Sequence, residues 1–218
     1  MSARGVFITL EGGEGSGKTT QMVRLRDVLS SAGLEVLTLR EPGATALGEL
    51  IRDAVLDPVH GEVDPRAELL LYEAARAQLV SERILPALAR GAVVIDDRHA
   101  DSSVAYQGYG RGIPVESVEM LNEFATYGLT PDLTLLFDLD PEVGMARATT
   151  GGADRLEAAG AEFHARVRSG FLRMAAAEPD RFSVIDAGGS ADEVFARVLA
   201  VVRERLPILT IMLPEADR

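Results

Sequence analysis

The sequence predicts an α/β protein: one sheet of five parallel strands with helices on both faces and a small lid. Three observations predict it. Short, nearly continuous apolar runs recur along the chain, as strands covered on both faces require. Segments with apolar residues at helical spacing separate them. The first apolar run also passes through a glycine-rich loop straight into a helical segment, the start of a unit whose crossover is right-handed.

The first strand is Val6-Phe7-Ile8-Thr9-Leu10. Met22, Leu25, Val28, Leu29 and Ala32 then recur at helical spacing, and Gly33 offers a stop before the short strand Glu35-Val36-Leu37-Thr38-Leu39. Leu47, Leu50, Ile51, Ala54 and Val55 mark a second helix. A long helical segment from about Pro65 to Arg90 should bend or divide near Pro86, because proline lacks the amide hydrogen that a helix interior uses. Ala92-Val93-Val94-Ile95, Leu133-Thr134-Leu135-Leu136-Phe137 and Phe182-Ser183-Val184-Ile185 complete the strands. Helices are expected at Val115 to Tyr127, Glu142 to Ala148, Arg155 to Ala177 and Ala191 to Leu206. There is no internal repeat or linker, so residues 1–218 read as a single domain ending in an apolar tail over 207–218.

The loop after the first strand carries the clearest chemistry. Gly12-Gly13-Glu14-Gly15-Ser16-Gly17-Lys18-Thr19-Thr20 fits G-x-x-x-x-G-K-[ST], with the strand and helix that the pattern needs on either side. Glycines let successive N–H groups converge on phosphate oxygens, and the helix beginning near Lys18 adds the positive end of its dipole. Lys18 is then placed for the β- and γ-phosphates of ATP, and the Thr19 hydroxyl for Mg²⁺. A dinucleotide fingerprint fits less well, since Lys18 stands where its third glycine belongs.

Composition narrows the partners. A net charge of −12 argues against a nucleic-acid polymer or an anionic membrane as partner, since either needs a broad basic face. No run approaches the ~20 apolar residues of a membrane span, and Met1-Ser2-Ala3-Arg4 leads into the first strand without a signal-peptide core. With no cysteine, disulfides and thiolate metal sites are excluded, which suits the cytoplasm. An anionic ligand must therefore be small and held by local arginines.

Those arginines follow the strands. Arg40-Glu41-Pro42-Gly43 puts one at the mouth of the second strand, where it could reach a phosphate or simply be a solvated charge on a turn. Asp96-Asp97-Arg98-His99 closes the third strand, with a carboxylate for Mg²⁺ and a guanidinium for a transferring or accepting phosphate. Asp138 competes for the metal, and Asp97 is preferred because Arg98 adjoins it. Tyr72 and Arg76 share a helix face and could present a ring and a planar cation to one flat ligand, or be a core aromatic beside a surface charge. Asp101 to Gly112 is a polar, glycine-rich stretch too costly to be plain core. His60, His99 and His164 show no metal-ligand spacing and read as structural or surface residues.

Glu11 to Gln21, Arg40-Glu41-Pro42-Gly43, Asp97-Arg98-His99 with its run to Gly112, and Asp154-Arg155-Leu156-Glu157 followed by Phe163-His164 together resemble the thymidylate kinases. The resemblance reaches to about Leu206. It implies phosphoryl transfer from ATP to dTMP with Mg²⁺, on a P-loop NTPase fold that usually dimerises. It further implies that Glu14 meets the acceptor's 3′-hydroxyl, Arg40 and Arg98 hold its phosphate, and Thr19 and Asp97 serve the metal. Tyr72 would stack on thymine, Arg76 read its carbonyl, Ser103 sit at the base's edge and Tyr106 lie under the sugar, with Gln107 in the same substrate-binding set.

Such enzymes take a catalytic arginine either from the P-loop or from a mobile lid. Here Gly15 follows Glu14, so the lid, about residues 147–156, should supply it, and Arg147 and Arg155 are the candidates. Lid-arginine members commonly carry an arginine four residues before the Asp-Arg pair, where this chain has Thr150. Another small-molecule kinase on the same fold is the nearest alternative reading. A nucleotide-dependent switch is a more distant one, and an Asn-Lys-x-Asp motif that would support a GTPase is missing.

Overall fold

The computed structural model describes residues 4–148 and 155–210. Most of the expected lid, 149–154, and the tail 211–218 lie outside the described residues. Five strands form one parallel sheet: β1 (Phe7–Gly12), β2 (Val36–Arg40), β3 (Val93–Asp97), β4 (Leu133–Asp138) and β5 (Phe182–Asp186), in spatial order β2-β3-β1-β4-β5. Successive crossovers lead first to one side of β1 and then to the other, with β3 and β4 as its neighbours. Open α/β sheets collect ligands at such a switch point, beyond the carboxyl ends.

Helices cover both faces. α1 (Lys18–Ser31) and α9 (Ala191–Arg205) bury Met22, Leu25, Leu29, Val194, Val198 and Val202 against Ile8, Leu10, Ile95 and Leu135. A capping box at Ser190 and Glu193 starts α9. The short α10 (Pro207–Thr210) follows it and buries Leu209 in the same core, so the beginning of the apolar tail packs on its own domain. On the other face lie α2 (Ala46–Leu56), α3 (Pro65–Leu79), α4 (Leu85–Ala89), α5 (Ala100–Ser103), α6 (Val115–Thr126) and α8 (Ala161–Ala177). α7 (Pro141–Ala148) follows β4.

Three boundaries depart from the sequence reading. The strands run on into their terminal carboxylates, because the parallel ladder continues past the last apolar residue. The 65–90 segment divides at a wide π-helical turn, Val80–Ile84, which lies upstream of Pro86 and lets Pro86 fall in the first turn of α4, where its missing N–H is harmless. The helix expected from Arg155 begins only at Ala161: Glu157–Ala159 form a single 3₁₀ turn, and Gly160 at φ 88° breaks the chain direction.

The polar, glycine-rich stretch after β3 is helical and largely buried, with α5 widening into a π-helical segment, Val104–Gly110. Gly110 makes this possible, since a Cβ there would stand 2.6 Å from Phe163 Cε2 on α8.

Candidate active site

The loop between β1 and α1 forms a phosphate cradle. Gly12, Gly15 and Gly17 adopt φ of 139°, 64° and 86°, conformations that side chains resist. Lys18 folds back over the cradle and donates from Nζ to the carbonyls of Gly12 at 3.1 Å and Gly13 at 2.8 Å. Burial and the neighbouring Arg98 lower its pKa to about 8. Gly15 backs onto α7: a Cβ there would sit 2.0 Å from the Gly144 carbonyl. An arginine could not replace Gly15 without displacing α7, which explains in packing terms why this loop carries no second cation.

The end of β3 completes the cradle. Thr19 Oγ1 donates to Asp97 Oδ2 at 2.6 Å, so a hydroxyl and a carboxylate stand together facing the cavity. Asp138, the other metal candidate, is held at both oxygens by Arg168, at 2.7 and 2.9 Å. Arg98, at φ 73°, donates to Gly12 O at 3.0 Å and to Glu14 Oε1 at 2.5 Å. Tyr106 donates to the same Glu14 oxygen at 3.0 Å. Burial alone would raise the Glu14 pKa, but Arg98 and Lys18, helped by that hydroxyl, hold it at about 2.

Two cavities meet here. One of about 480 Å³ is lined by Glu14 to Thr20 with Arg40, Arg52, Asp97, Arg98 and Arg147. The other, of about 90 Å³, is lined by Pro42, Leu56, Tyr72, Arg76, Ser103, Tyr106, Gln107 and Leu156. Glu14, Glu41, Arg52 and Arg98 belong to both. A larger apolar hollow of about 900 Å³ lies between α7 and α8, lined by Pro141, Met145 and Leu172; it has none of the cradle's residues, and the chemistry belongs with the smaller pair.

The structure brings nearly all the sequence-selected residues to these cavities. Arg40 borders the phosphate cavity while its guanidinium pairs with Glu49 at 3.0 Å. Arg147 borders it too and reaches the Ala187 carbonyl at 3.4 Å. Arg155 does not: it turns to Glu68 and donates to the Val55 carbonyl at 2.8 Å. Arg52, on α2, was missed by sequence reading. It spans both cavities, and nothing in the Leu50-Ile51-Arg52 pattern distinguishes it from an ordinary helix arginine.

Arg76 is 1% exposed and stands in a buried network. It donates to Glu41 at 2.8 Å, Glu73 at 2.5 Å, Ser103 at 3.0 Å, Asn122 at 2.8 Å and the His99 carbonyl at 3.1 Å. Glu41 also holds His99 Nδ1 at 2.7 Å, with Asp96 at 3.6 Å. The ligand atoms of Glu41, Asp96 and His99 lie within 4.8 Å of one another, a set compact enough to hold a metal that the sequence spacing did not reveal. His99 Nδ1 hydrogen-bonds Glu41 and lies within ion-pair distance of Asp96, while both Asp96 oxygens and His99 Nε2 are buried without a hydrogen-bond partner among the described residues.

Burial opposes an imidazolium, yet Glu41 and Asp96 raise the His99 pKa from 6.5 to about 9. Its stabilisation is therefore complete below pH 6.5 and is lost as pH rises through 9. Asp96, raised to about 8 by burial and by Glu41, acts in the same direction, whereas Lys18 opposes it above pH 8. The ligand-free protein should lose about 1–3 kcal/mol between pH 6.5 and 8. Thermal melts should show the decline, and His99→Asn should flatten it; a wild-type melting temperature constant over that window would contradict the assignment.

A parallel sheet with a phosphate cradle at its switch point, opening into a second pocket ringed by arginines, defines a P-loop phosphotransferase. A family profile described as thymidylate kinase matches residues 10–198. The chain belongs to the thymidylate kinase family. It is 53% identical over 204 residues to a thymidylate kinase of Deinococcus radiodurans, covering 93% of this chain and 98% of that one. It is 55% identical over 202 residues to one from Synechococcus sp. (strain JA-3-3Ab), covering 92% and 97%. The crystal structure of thymidylate kinase from Ehrlichia chaffeensis superposes with a TM-score of 0.74 at 34% identity, covering 91% of this chain and 99% of that one.

Proposed function

We infer that the protein is an ATP:dTMP phosphotransferase, moving the γ-phosphoryl group of ATP to dTMP to give dTDP and ADP. The observation that carries the reading is the wall shared by the two cavities. A nucleotide whose base lies at Arg76 and Ser103 would present its phosphate to Arg52 and Arg98, facing the cradle that holds ATP.

Arg76 supports the choice of base. Nε and Nη1 are fully used, and Nη2 makes one bond, to His99 O. Its second Nη2 hydrogen has no acceptor among the described residues, and Arg76 lines the small cavity. A base carbonyl satisfies that hydrogen, whereas the exocyclic amine of cytosine would oppose it donor to donor. Tyr72 on the same helix offers an aromatic face, and Tyr106 and Glu14 would contact the sugar.

The acceptor is already a phosphate dianion, so no general base is needed and catalysis is alignment with charge neutralisation. Lys18 would hold the β- and γ-phosphates, Arg98 and Arg52 the acceptor phosphate, and Arg147 the charge on the transferring group. The hard oxygens of Thr19 and Asp97 suit Mg²⁺, which when bound would neutralise the polyphosphate.

The coupled release of ADP with dTMP, dUMP, CMP, AMP and GMP tests this reading. dTMP should lead in kcat/KM, with CMP down by about 10²-fold or more; a preference for CMP, AMP or GMP would refute it.

We further propose that the enzyme acts in the cytoplasm, where ATP is available, and as a homodimer. No helix among the described residues is long and apolar enough to cross a membrane. Met120 and Phe124 on α6 and Tyr127 at its C-terminal cap are 66%, 83% and 64% exposed beside Ala77 of α3, an apolar face of the kind a second copy would cover. Light scattering after gel filtration should report a dimer for the wild type and a monomer for Phe124→Asp; an unchanged mass would remove this face as the interface.

A further inference from the structure

Two residues that close the small cavity, Gln107 and Leu156, both lead to a single carboxylate outside it. Glu68 lies on α3 and has no exposed surface. It accepts from Gln107 Nε2 at 2.8 Å and from Arg111 Nε and Nη2 at 3.3 and 3.2 Å, and it pairs with Arg155. Arg111 also lies over the Phe163 ring, 4.7 Å from its centroid, and Arg155 has only 10% of its side chain exposed. One buried carboxylate on α3 thus gathers two guanidinium groups and an amide from two other stretches of chain.

Two of these ties, those of Arg155 and Gln107, lead to the cavity wall. Arg155 N donates to Leu56 O at 3.2 Å and its Nε to Val55 O, joining the segment before α8 to the end of α2. Leu56 and Leu156, the neighbour of Arg155, line the cavity from those two segments. Gln107 lines it from the π-helical segment, and Tyr72 lies one turn beyond Glu68 on α3. Removing the Glu68 charge would leave two partly buried guanidinium groups, those of Arg111 and Arg155, without the carboxylate they share.

We propose that Glu68 is a positioning residue for the acceptor pocket and that Arg155 works through it to set the fit of the base, not to neutralise the transferring phosphate. This rests on the acceptor reading above. It divides labour between the two arginines that sequence alone left equivalent: Arg147 at the phosphates, Arg155 at the base wall.

The test is steady-state kinetics of Glu68→Gln, Arg155→Met and Arg155→Lys, with dTMP and ATP varied in turn. Glu68→Gln and Arg155→Met should raise KM for dTMP tenfold or more while kcat and KM for ATP stay within about threefold of wild type. Arg155→Lys should recover part of the loss, and the double variant should be no worse than the poorer single one, because both cut the same tie. Turnover slowed a hundredfold or more in Arg155→Met, with KM for dTMP unchanged, would overturn the proposal, as would wild-type kinetics in all three. If Glu68→Gln fails to fold, the two Arg155 variants decide by the same criteria. Hydrogen exchange of ligand-free protein separates this proposal from the acceptor reading: amides of residues 155–160 should exchange at least tenfold faster in Arg155→Met. Unchanged exchange would overturn the tie itself, whereas a wild type that does not phosphorylate dTMP would overturn the acceptor reading.

Discussion

Replacing Arg98 by alanine is expected to lower kcat/KM for dTMP by about 10³-fold or more, on the order of 4 kcal/mol of transition-state stabilisation. Arg98 is the only arginine bonded to both the P-loop backbone, at Gly12, and Glu14, a carboxylate that lines both cavities, among the described residues. Its backbone N–H is fixed by Leu10 O at 2.9 Å, and its φ of 73° turns the side chain back over the cradle. Arg98→Lys should recover only a fraction, since a point charge cannot hold Gly12, Glu14 and a phosphate through one planar fork. Steady-state kinetics with both substrates varied would measure the effect, with circular dichroism to verify the fold. A loss of less than tenfold would remove Arg98 from the transferring centre.

The largest effect on stability is expected from Arg76→Met. Burial works against the guanidinium, but Glu41 and Glu73 more than compensate and hold it firmly charged. Taking the cation away leaves those two carboxylates buried without it, a change that typically costs about 3–5 kcal/mol. The melting temperature should fall on the order of 10 °C for a domain of this size. Adding Glu41→Gln to Arg76→Met should restore part of that loss, because it removes one orphaned charge. A melting temperature within 2 °C of wild type would show that the network contributes little (about 1 kcal/mol or less).

Much of this was legible in the chain as written. The P-loop is a local object: its glycine torsions, its lysine and the helix that follows are specified within ten residues, and the structure realises them in place. The five strands and most helices were legible for the same reason, since hydrophobic period reports local geometry directly. The misjudged boundaries lie where a local signal met a tertiary demand. Pro86 marked a break that the π turn moved upstream, and Gly160 delayed to Ala161 a helix whose periodicity ran without visible interruption from Arg155.

The sequence by itself determined the class of fold, the phosphate cradle and, through its motifs taken together, the family. Only the tertiary structure decided that Arg52 borders both cavities, that Asp138 is occupied by Arg168 while Asp97 stands beside Thr19, and that Arg155 turns to Glu68. The physical reason is that torsional preference and hydrophobic period act between near neighbours along the chain. Which carboxylate meets which guanidinium is settled by how helices seat on the sheet: Arg76 and Glu41 are 35 positions apart, and Arg98 and Glu14 are 84 apart.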